Sequence, residues 1–77
     1  GALPKPDYKA NVTGKVIIDV TVDAAGRVTS AEFHAQGSTT SNATLVEAAK
    51  RAAMKARFTE SASFVQGGMI TYVFKMN

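Results

Sequence analysis

The sequence predicts an α+β fold: a three-stranded antiparallel sheet with one main helix packed on one face, in the order β-β-α-β. Three observations carry that expectation. Apolar and polar residues alternate in two stretches before residue 36, and a strand-like stretch with apolar residues on both sides follows residue 68. Between them, residues 44–58 repeat small apolar residues at helical spacing. The chain has 77 residues and no cysteine, so it makes one domain without a disulfide framework or a thiolate metal site.

Residues 1–9 contain Leu3-Pro4-Lys5-Pro6-Asp7-Tyr8. Two prolines so close exclude a helix and favour extended backbone. The stretch therefore reads as an extended arm or linker end, with the domain proper over residues 10–77. The chain opens on Gly1 rather than Met and reads as a piece of a longer protein. The lack of a targeting signal then says little about the parent.

The first strand is expected over residues 15–23, where Val16, Ile18, Val20 and Val22 alternate with Lys15, Ile17, Asp19, Thr21 and Asp23. Asp23-Ala24-Ala25-Gly26 follows as a tight hairpin turn, with Gly available for positive φ at its end. The return strand is expected over 27–35. Val28 and Ala31 are three apart, so one face can hold both only if a bulge near Thr29-Ser30 restores the phase. Residues 36–42 form a polar loop.

The helix is expected to start at Thr44, because Thr44-Leu45-Val46-Glu47 fits a capping box. Leu45, Ala48 or Ala49, Ala52 and Ala56 make its apolar stripe, and Lys50, Arg51, Lys55 and Arg57 occupy much of the other side. Phe58 is expected to supply the bulk that the alanines lack. Residues 59–68 read as a second loop, in which Phe64-Val65 tuck inward and Gly67-Gly68 break the chain. The last strand is expected over 69–76, with Ile70, Tyr72, Phe74 and Met76 on one side and Met69, Thr71, Val73 and Lys75 on the other.

Strand directions place the third strand beside the first, in the order 2-1-3; a place beside the second would need a mixed sheet. Two edges follow. The second strand is blunted by its bulge and by Glu32 and His34. The third carries Lys75 as its one charge and no proline. An edge of this kind can recruit another strand, and the apolar Met69 and Val73 give a recruit something to pack against. The alternatives are that the 1–9 arm or a partner subunit covers it.

Nine Lys and Arg against six Asp and Glu give a net charge of +3, within the ordinary range for a soluble domain. No metal-ligand spacing or nucleophile elbow is present. Gly67-Gly68 precedes a strand, whereas a phosphate cradle opens a helix. His34 is the sole histidine and reads as a surface residue in mid-strand. Asp19 and Asp23 share the first strand's outer side as solvated charges. These readings exclude most enzyme chemistry and call for no cofactor. Lys50, Arg51, Lys55 and Arg57 could track phosphates, but no aromatic pair or GXXG loop accompanies them, which argues against nucleic acid.

The segment Gly14-Lys15-Val16-Ile17-Ile18-Asp19-Val20-Thr21-Val22-Asp23, then Gly26-Arg27-Val28, resembles the opening hairpin of the TonB C-terminal domain family. Leu45, Ala48-Ala49 and Arg57-Phe58 resemble the family's Leu-Asp-x-Ala-Ala helix ending in a basic residue and Phe, and the last strand corresponds to its closing strand. The order and spacing of these weak motifs cover nearly the whole chain. Departures fall at Pro6-Asp7-Tyr8, Gly37-Ser38-Thr39-Thr40, Ala56 and Thr59. The resemblance implies a non-enzymatic periplasmic domain of an inner-membrane-anchored energy transducer, which works with ExbB- and ExbD-like motor proteins through an upstream region. Such a domain binds the TonB box of an outer-membrane receptor as an added strand and passes on force for nutrient uptake. Met69, Ile70, Thr71, Tyr72, Val73, Phe74 and Lys75 would form the docking edge. The alternative is a TonB-like interaction or sensor domain of another envelope protein, and an uncovered edge also permits a homodimer.

Overall fold

The computed structural model describes residues 3–4, 13–59 and 66–75. Its elements run β1 (Gly14–Val22), β2 (Val28–His34), α1 (Ala43–Lys55) and β3 (Gln66–Phe74). The sheet is antiparallel with the order β2-β1-β3, and the helix packs on one face. The expected β-β-α-β architecture is therefore present. The 1–9 arm, Phe64-Val65 and Met76 lie wholly or mostly outside the described residues.

Alternation in β1 sets the two faces of the sheet. Val16, Ile18 and Val20 are buried toward α1, while Lys15, Ile17, Asp19 and Thr21 stand on the open face half-buried. The bulge falls in β2, as expected. Thr21 pairs with Ser30 and Val22 with Val28, so Thr29 is the extra residue, and both Val28 and Ala31 reach the core.

The hairpin turn is held by Asp23. Its carboxylate accepts from the amides of Ala25 at 3.0 Å and Arg27 at 2.9 Å, and its carbonyl accepts from Gly26 N–H at 3.0 Å. Gly26 has φ +87°, and a Cβ there would sit 2.0 Å from the Phe58 carbonyl oxygen. Only glycine fits, because the chain after the helix crosses this turn. Phe58 N–H donates to the Gly26 carbonyl at 2.8 Å, and Arg57 pairs with Arg27 in an isolated bridge.

Four sequence expectations are corrected. The helix starts earlier than Thr44: Asn42 is the N-cap, its Oδ1 accepting from Thr44 N–H at 3.0 Å and Leu45 N–H at 3.2 Å. Glu47 then lies past the position from which a capping box reaches back. Phe58 is exposed rather than core bulk; Phe74, Ile18, Leu45 and Val16 are the largest fully buried side chains. The helix contributes Leu45 and four alanines that allow close approach, Ala48, Ala49, Ala52 and Ala53, and the adjoining Ala56 is buried with them. Gly67 and Gly68 do not break the chain but pair with Thr21 and Val20, so β3 begins at Gln66. His34 is the last residue of β2, not a mid-strand residue.

Candidate functional site

The site that the sequence singles out is the edge formed by residues 69–75. The structure places Met69, Ile70, Thr71, Tyr72, Val73 and Phe74 in β3 and Lys75 just past its end. β1 occupies one side of β3, and among the described residues no strand pairs with its other side.

The seven residues divide by face. Ile70, Tyr72 and Phe74 are buried on the helix side, so a partner at this edge meets the backbone of Ile70 and Tyr72 rather than their side chains. Met69 and Val73 stand on the open face, 63% and 62% exposed, with Thr71 exposed between them. Rows across the sheet follow from the register: Lys15 beside Val73, Ile17 beside Thr71, and Asp19 beside Met69. The surface next to the edge is thus apolar at Met69, Ile17 and Val73, with carboxylates farther in.

Those carboxylates continue the row of Met69 across β1 and β2. Glu32 lies opposite Asp19, and His34 reaches diagonally to it, Nδ1 2.8 Å from Asp19 Oδ2. His34 is half-buried, and this pairing of two adjacent strands is what sequence spacing alone left invisible. Asp23, by contrast, is used in the turn and lies 4.0 Å from Arg27. Among the described residues, no three His, Asp or Glu side chains converge as metal ligands.

The loop after β2 completes the far side of β1. Ser38 Oγ accepts from Ile17 N–H at 2.9 Å, Thr39 Oγ1 accepts from Lys15 N–H at 2.7 Å, and Thr39 N–H donates to the Lys15 carbonyl at 2.8 Å. Hydroxyl side chains thus extend the pairing of β1 beyond the end of β2.

Two features of the edge were not foreseen. The Tyr72 hydroxyl is buried without a hydrogen-bond partner, and burial pushes its pKa above the ordinary phenol value. A cavity of about 120 Å³ lies at the glycine end of β3, lined by Val20, Val22, Phe58, Gly67, Gly68 and Met69 among others. The paired glycines hinted at it, since a strand without side chains leaves space on its faces.

Comparison of the chain with protein-family models, curated proteins and solved structures finds no match in any of the three.

Proposed function

We propose that this chain is a non-enzymatic peptide-binding module that takes an extended segment of another protein onto β3 as a fourth strand. One observation carries the reading: among the described residues no strand pairs with the outer side of β3, whose own Met69 and Val73 are both exposed. A long edge with apolar neighbours offers backbone pairing and side-chain contact together. Backbone pairing tolerates varied side chains, so one edge can serve several partners. At roughly 0.5–1.5 kcal/mol net per hydrogen bond, a short added strand also releases readily.

The hairpin, the helix and the closing strand occur in the order expected from the resemblance to TonB C-terminal domains. That agreement supports a more specific proposal: a periplasmic domain of an inner-membrane-anchored, TonB-like energy transducer. Its partner would be the TonB box of an outer-membrane receptor, with ExbB- and ExbD-like motor proteins acting through the parent's upstream region. A TonB-like sensor or interaction domain would use the same edge for a different peptide.

The test is an amide-resolved NMR titration with TonB-box-like peptides, each paired with a version N-methylated at alternate residues. Expected are shifts centred on residues 67–73 that persist at high salt and vanish with the methylated peptides. Shifts centred elsewhere, or equal binding by the methylated peptides, would overturn strand addition.

A further inference from the structure

Charge is segregated in this molecule. Both ion pairs among the described residues lie on the sheet and its hairpin, Asp19 with His34 and Asp23 with Arg27. The helix cations have none: Lys50, Arg51 and Lys55 stand without an ion-pair partner among the described residues. Glu47, three and four residues before Lys50 and Arg51, is the helix's one carboxylate and pairs with neither.

Helical spacing gathers these cations around an apolar side chain. Met54 is 44% exposed. Lys50 and Arg51 precede it by four and three residues, which puts both beside it on the outer surface, and Lys55 lies one turn on from Arg51. Arg57 adds a cation past the helix end, its Nη1 donating to the Ala56 carbonyl at 3.0 Å. An exposed thioether among unpaired cations has no role in the core, which the opposite side of α1 already fills.

We propose that the outer face of α1, with Lys50, Arg51, Lys55 and Met54, docks on an anionic phospholipid surface. The cations complement the headgroup charge, and Met54 enters the boundary beneath it. Nucleic acid is the competing polyanion, but the cations stand on a convex helix face whose centre is a thioether. Stacking platforms for bases are built on aromatic rings, and α1 carries none. The docking face is separate from β3, so the inference does not depend on strand addition.

Vesicle co-sedimentation of the 77-residue chain tests it, comparing phosphatidylglycerol-containing with pure phosphatidylcholine vesicles. Expected is retention on the anionic vesicles alone at about 0.05 M salt and its loss near 0.5 M. The triple variant K50Q/R51Q/K55Q should lower partitioning at least about tenfold. The control K15Q/R27Q/K75Q, which removes equal charge elsewhere, should retain most of it. Met54→Ser should lower partitioning about threefold with the salt dependence kept. Circular dichroism confirms that each variant is folded, as expected for surface substitutions. Equal retention on both vesicle types, or equal loss in both triple variants, would overturn the proposal. So would retention on duplex DNA, with no effect of Met54→Ser, in place of anionic vesicles.

Discussion

At the scale of single residues, the helix start shows how sequence and structure part company. Ser41, Asn42 and Thr44 are all capable caps. The capping-box spacing favours Thr44, but the loop delivers Asn42 with its carboxamide aimed at two amides. Asn42→Ala should therefore cost about 1 kcal/mol in denaturant unfolding, and Thr44→Ala much less. A larger loss at Thr44 would restore the capping box. Tyr72 allows a second prediction. Its folded-state pKa is raised, so the folded chain holds the phenol proton more tightly than the unfolded chain does. The resulting stability is complete below about pH 10 and is lost as pH rises through the folded value. Tyr72→Phe should remove this alkaline loss. At neutral pH it should leave stability unchanged or raise it by about 1 kcal/mol, because a buried hydroxyl without a partner disappears. Thermal melts at pH 7 and above pH 10 read both effects. Nothing in the sequence distinguishes a partnered tyrosine from an orphaned one.

At the scale of elements, periodicity was a sound guide where one face is buried and a poor one where it is not. Alternation located β1, and the three-residue offset of Val28 and Ala31 located the bulge at Thr29. It failed at Gln66, Gly67 and Gly68, because pairing with β1 needs only their backbone. Two glycines carry no pattern, yet Val22, Val20 and Thr21 provide the ladder. The alanine stripe of α1 holds the helix axis close to the sheet, and Ala49 is fully buried. Ala49→Leu should push the two layers apart and destabilise by about 1–3 kcal/mol. Its chemical-shift changes should spread along Val16, Ile18 and Val20. An unchanged unfolding midpoint would mean that the layers are not in register with this stripe.

At the scale of the whole molecule, every element depends on β1. It lies between β2 and β3 and beneath α1, so both of its edges and one of its faces are covered by other elements. A chain cut after Thr59 keeps the hairpin and the helix but leaves Ile18 and Val16 without Ile70, Tyr72 and Phe74. Such a chain should show no cooperative thermal transition by circular dichroism; a cooperative one would mean that β3 is an accessory to the core. The sheet order could be read from strand directions and the density of β-branched residues in β1. The candidate site was legible as a strand with apolar residues on both sides. Which face each would take emerged only with the register, and the cross-strand meeting of His34 with Asp19 only with the fold.

The central place of β1 also bears on biosynthesis. Of the four elements among the described residues, β1 leaves the ribosome first and β3 last, yet the two are sheet neighbours along their whole length. The nascent chain can close its hairpin early, and the helix can follow. Until β3 emerges, though, the middle strand has one naked side rich in valine and isoleucine. That interval is when a neighbouring nascent chain could pair in its place. Slow translation between the helix and β3 would lengthen the exposure, whereas prompt completion lets the chain's own strand arrive first.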